Sequence, residues 1–121
     1  MSLRRTRTLS VCIALAVPLA AAAAPPSGRY RCYLPPGYQV TGWFDLRDDG
    51  RYLFQGGEPA RYRYDADTGR LTWIDGELAA EYPGGRYYSP SGDAPTGRRH
   101  AIVLEHRDAG GARSECFLTT H

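Results

Sequence analysis

A chain of 121 residues with 15 arginines, no lysine and 13 acidic residues has a formal net charge of +2, which gives no support for nucleic-acid binding, normally marked by a strongly basic domain. It has no uninterrupted apolar run of about 20 residues, which excludes a membrane-spanning helix. No catalytic, metal or cofactor motif stands out, so composition points to compartment and fold before chemistry.

The N-terminus reads as a secretory signal peptide over residues 1–22. Arg4, Arg5 and Arg7 precede an uncharged run from Thr8 to Leu19, and alanines follow from Ala20 to Ala24. Cleavage is expected after Ala22, because Pro25 hinders a cut after Ala24. Cys12 leaves with the signal. So do three of the fifteen arginines, leaving twelve against thirteen acidic residues, a mature charge of about −1. Abundant Gly, Ala and Pro without lysine suit a GC-rich bacterial genome, so a periplasmic or extracellular location is expected. Residues 23–27 are expected to be a flexible lead into one β domain over 28–119.

The spacing predicts strands near 29–34, 40–46, 51–55, 60–65, 70–74, 84–88, 100–106 and 112–118. Most open on Gly or Ala followed by Arg, the mark of a turn exit. The clearest stretch runs from Asp48 to Gly76. There Tyr52 and Phe54, Tyr62 and Tyr64, and Leu71 and Trp73 occupy every second position, while Arg51, Arg61, Arg63 and Arg70 fall on the other side. Side chains alternate between the two faces of a strand, so one face is an aromatic core and the other is arginine-rich. The acids in the adjoining turns are expected to pair with these arginines rather than leave them to an anionic ligand. Glu77–Tyr82 has helical composition but ends at Pro83, so one turn is the most it is expected to form. The fold class is therefore all-β: an antiparallel meander of about eight short strands, closed as a barrel or stacked as a two-layer sandwich.

Two cysteines remain in the mature chain, so Cys32 is expected to pair with Cys116, joining the first strand to the last. Their separation is unlike a redox Cys-x-x-Cys pair and marks a structural bond. His100 and His106 stand about 20 Å apart along one extended strand, too far to share a metal. No serine elbow accompanies them, and the acids sit mostly in turns rather than converging as a hydrolase pair. No cofactor, metal site or catalytic residue is expected.

The candidate binding residues are those that break the core pattern or sit near long loops. Tyr33 has the parity opposite to Tyr30 and Cys32, and Tyr38 lies in the segment Leu34-Pro-Pro-Gly-Tyr-Gln39. Tyr82, Arg86 and Tyr88 flank the connections before and after the sixth strand. Arg98 and Arg99 end the Ser, Pro and Gly-rich loop from Ser89 to Arg99, long for a hairpin. These residues suggest a non-enzymatic binding module for a protein or an envelope glycan. Alternatives are an inhibitor or immunity protein against a cell-wall hydrolase, and a small hydrolase with an unrecognised site.

Tyr62-Arg-Tyr-Asp65 followed by Asp67-Thr-Gly-Arg-Leu-Thr-Trp73 resembles a turn pattern of small uncharacterised secreted bacterial β-meander proteins. The resemblance implies no activity. Tyr30-Arg-Cys32 and the chain's size also resemble the periplasmic lysozyme-inhibitor barrels, which implies an inhibitory role. Those inhibitors insert a Ser-Gly-x-x-Tyr loop, and Gly84-Gly-Arg-Tyr-Tyr88 here lacks the serine.

Overall fold

The computed structural model describes residues 24–91, 99–106 and 113–119. The expected signal peptide over residues 1–22, Cys12, Arg98 and His121 lie outside the described residues. Eight strands follow one another in chain order: β1 (Gly28–Leu34), β2 (Gln39–Leu46), β3 (Arg51–Phe54), β4 (Pro59–Asp65), β5 (Arg70–Trp73), β6 (Gly84–Tyr88), β7 (Ala101–Glu105) and β8 (Arg113–Leu118). Each pairs antiparallel with the next, and β8 returns to β1 through Tyr30↔Leu118, Arg31↔Phe117, Cys32↔Cys116 and Tyr33↔Glu115. That last ladder closes a barrel and removes the sandwich alternative. Among the described residues it also leaves no unpaired edge strand to recruit a second chain.

The inward face is the aromatic one. Tyr30, Phe44, Tyr52, Leu71, Trp73, Tyr87, Ile102 and Leu104 form one buried cluster with Cys32 and Cys116, and Phe54, Tyr62 and Tyr64 pack half-buried against it. Tyr30 stacks on Phe44 at 5.6 Å, while Phe44 and Tyr52 meet Trp73 edge to face at 5.6 and 5.1 Å. These are the offset and tilted geometries that ring quadrupoles favour. Among the described residues the buried Trp73 Nε1–H has no hydrogen-bond partner, and these rings offer it only weak π acceptors. Tyrosine hydroxyls reach backbone at the rim: Tyr30 donates to the Pro26 carbonyl at 2.7 Å and Tyr62 to that of Arg47 at 2.6 Å. The first of these bonds anchors the segment ahead of β1.

On the outward face, Arg51 and Arg61 stand directly opposite each other. Their repulsion is relieved by turn acids. Arg61 makes an ion pair with Asp75 at 2.8 Å, and Arg51 a looser one with Asp49 at 3.9 Å. The expected pairing of strand arginines with turn carboxylates is thus seen at Arg51 and Arg61, exposed sites where each pair contributes little.

The expectation of at most one turn in the β5–β6 connection is corrected. Gly76–Glu81 forms a six-residue helix, α1. Asp75 stands at its N-cap without a side-chain cap bond, because its carboxylate accepts instead from the Arg61 backbone N–H and guanidinium. Those bonds hold Asp75 below its usual range. The cap comes from across the barrel. The Tyr52 hydroxyl accepts from the Leu78 N–H at 3.0 Å and donates to the Asp75 carbonyl at 2.6 Å. Leu78 is buried at 1% exposure, so tertiary contacts support a helix too short to form alone.

Cys32 and Cys116 form a disulfide across a sequence separation of 84. The two residues are register partners on neighbouring strands, so the bond lies inside the barrel, on the seam between its first and last strands.

Candidate functional site on the outer face

Because opposite residues in an antiparallel ladder share a face, the register determines which side chains emerge beside one another. Cys32, Cys116, Ile102 and Tyr87 form an inward row. Their neighbours in sequence must point outward. One outward row runs Tyr88, Ala101, Phe117, Arg31, Trp43 across β6, β7, β8, β1 and β2, and the next runs Arg86, Val103, Glu115, Tyr33, Val40. Five of the seven residues singled out in the sequence, Tyr33, Tyr38, Arg86, Tyr88 and Arg99, belong to this face or its border.

The rows are knitted together by ring contacts. Tyr33 tilts onto Phe117 with centroids 6.1 Å apart, and the Arg99 guanidinium lies 4.6 Å over the same Phe117 ring. Arg29 lies 3.9 Å over Trp43 while holding Asp45 at 2.8 Å. Phe117, Ala101 and Val103 have at most 8% exposure although they lie outside the core cluster, and form an apolar floor on the outer side of the sheet.

The β1–β2 hairpin extends this surface. Leu34, Tyr38 and Val40 are 36%, 48% and 56% exposed, three of the four large exposed hydrophobics among the described residues. Tyr38 has φ +56°, a left-handed turn position, and its hydroxyl donates to Glu115 at 3.0 Å. That bond raises the Tyr38 hydroxyl above its usual range and ties the hairpin tip to β8. Arg86, at the β6 end of its row, reaches the β4–β5 turn, where its guanidinium donates to the Thr68 carbonyl at 3.0 Å.

Tyr82 does not join this face. It is half-buried, meets His106 edge to face at 4.9 Å and hydrogen-bonds Ser114. The His106 Nε2 lies 3.2 Å from the Ser114 hydroxyl. This serine–histidine contact resembles a nucleophile and its base, but Ser114 has 0% exposure, which closes it to a substrate. His100 is engaged separately, 2.6 Å from the Tyr87 hydroxyl. Among the described residues, no three His, Cys, Asp or Glu side chains come together as a metal site. Arg98 lies outside the described residues.

Sequence reasoning missed Phe117, Trp43, Leu34 and Val40. A signal existed for Phe117, since the residue after an inward cysteine must face outward. Trp43, adjacent to the core residue Phe44, carried the same mark. Comparison with protein-family models, with curated proteins and with solved structures found no match.

Proposed function

We propose that this protein is a secreted, non-enzymatic binding module that engages a protein partner through the outer face of β8, β1 and β2 and the hairpin at Leu34–Val40. The observation that carries this reading is the concentration of exposed apolar and aromatic side chains on one disulfide-tethered hairpin, beside two arginines laid over rings. Tyrosine, tryptophan and arginine dominate the energetics of protein interfaces, and such residues work best on a preorganised surface. Here the Tyr38–Glu115 bond and the adjacent disulfide supply that order. An internal disulfide is compatible with an oxidising compartment, and among the described residues no helix is long and apolar enough to cross a membrane.

Capture from envelope extract, with wild-type protein beside a Tyr38→Ala, Arg99→Ala variant, tests the reading. Wild type is expected to retain a defined protein whose affinity falls about tenfold or more in the variant, as for interface anchors. Equal capture by a variant with an unchanged circular dichroism spectrum rejects the surface. If the captured protein is a cell-wall hydrolase, the inhibitor reading becomes the specific form of the proposal.

A further inference from the structure

At the end of the barrel that carries the β4–β5 turn, a cleft of about 350 Å³ opens between that turn and the inward rings. Its lining includes Tyr64, Asp67, Thr68, Gly69, Tyr87 and Ser89. We propose that this cleft is a binding site for a neutral sugar ring, separate from the protein-binding face.

The turn is built before any ligand arrives. The Gly69 and Thr68 N–H groups donate to the Asp65 carbonyl at 2.8 and 3.3 Å, and the Asp67 N–H donates to the Asp65 carboxylate at 2.9 Å. From the neighbouring strand, the Tyr87 N–H donates to the Gly69 carbonyl at 2.8 Å, and Arg86 holds the Thr68 carbonyl at 3.0 Å. Gly69 has φ +76°, and a Cβ there would stand 3.3 Å from the Tyr87 carbonyl, so glycine lets the turn approach β6 this closely without backbone strain. A site whose backbone is fixed in this way loses little entropy on binding.

The chemistry suits a polyol with one apolar face. The half-buried Tyr64 ring, held at 77° to the buried Tyr87 ring with centroids 6.3 Å apart, is the aromatic surface against which the C–H face of a pyranose can pack. The exposed Asp67 carboxylate is an acceptor for sugar hydroxyls. The Thr68 hydroxyl accepts from the Arg70 N–H at 3.2 Å, which leaves its own proton to donate outward. Ser89 also lines the cleft. Among the described residues of the lining, Asp67 is the one charged side chain, beside hydroxyl and backbone groups, a set that suits hydroxyl-bearing ligands better than a cation, which would need several carboxylates. Its volume lies at the lower end of the range of about 300 to 1,000 Å³ typical of small-ligand sites, matching one or two sugar rings rather than a long chain.

Titration of the oxidised mature protein with chitotetraose and, in parallel, maltotetraose, followed by amide chemical shifts, tests this assignment. Saturable binding of at least one sugar is expected, with the largest shifts at Thr68, Gly69 and Tyr87. Asp67→Ala and Tyr64→Ala are each expected to weaken it by about tenfold, and Tyr64→Phe, which keeps the ring, by no more than about twofold. Asp67 is in an exposed turn, so Asp67→Ala carries the test even if Tyr64→Ala perturbs the core. Failure of both sugars to saturate at millimolar concentration, shifts confined to β8 and β1, or undiminished binding by Asp67→Ala each overturns the proposal. The Tyr38→Ala, Arg99→Ala variant is expected to bind sugar normally, which keeps this outcome distinct from the fate of the protein-binding surface.

Discussion

Gly76 shows how much a single residue can control where two elements meet. Its φ of +85° is a left-handed conformation that only glycine adopts without strain, and a Cβ there would run into the Ala60 side chain and come within 2.6 Å of the Tyr52 hydroxyl. That hydroxyl links the Asp75 carbonyl to the Leu78 N–H, so displacing it uncaps α1 as well. Gly76→Ala is expected to lower unfolding free energy by about 2 to 4 kcal/mol, from backbone strain plus overpacking. Urea denaturation measures this directly; a change smaller than about 0.5 kcal/mol would mean that the connection relaxes without cost. Gly76 was legible in the sequence as the end of the alternating stretch that opens at Asp48. That its α-hydrogen faces a tyrosine from β3 was not, because the contact joins residues 24 positions apart.

Among the elements, the β1–β8 seam is the one on which closure depends. Its ladder has four register pairs, one of them the disulfide-linked Cys32 and Cys116. In the chain-entropy view, a crosslink enclosing this much chain stabilises the native state by about 4 to 5 kcal/mol at most. A Cys32→Ser, Cys116→Ser variant is therefore expected to show a sharply lower urea midpoint, and weakened hydrogen-exchange protection first at Tyr33 and Phe117 on the seam. Protection lost evenly across all strands would instead place the effect in the unfolded chain alone. The pairing of these cysteines was readable because only two remain once the signal segment is set aside. The helix was the element least visible beforehand. Six residues do not make a stable helix in water, and its N-terminal N–H is satisfied by a side chain from a distant strand.

At the scale of the whole molecule, the core is unusual for holding so many tyrosines, and this couples stability to alkaline pH. Burial raises the hydroxyls of Tyr30, Tyr52, Tyr62, Tyr82 and Tyr87 above their ordinary value of 10, Tyr30 furthest. The unfolded chain releases these protons near pH 10, whereas the native barrel retains them to higher pH. The stabilisation is thus fully present below about pH 10 and is lost as pH rises toward the folded values. Urea midpoints are expected to fall steeply between about pH 10 and 11, and less steeply for Tyr30→Phe. A flat wild-type profile over that interval would contradict the assignment of these hydroxyls to a desolvated core.

Strand positions, the inward aromatic parity and the disulfide partner were set by the sequence itself. They follow from period-two alternation, turn residues and cysteine number, all of which act over a few residues or by simple pairing. Which residues share the outer surface was decided only by tertiary structure. Tyr33, Phe117, Arg99 and Tyr38 are spread from residue 33 to residue 117 and become neighbours only because the last strand hydrogen-bonds to the first. The pairing of β4 with β5 and of β5 with β6 likewise brings Tyr87 beside Tyr64 and the Thr68 turn to form the cleft. Local alternation tells each side chain whether to face in or out; the order and register of strands around the barrel decide what it faces.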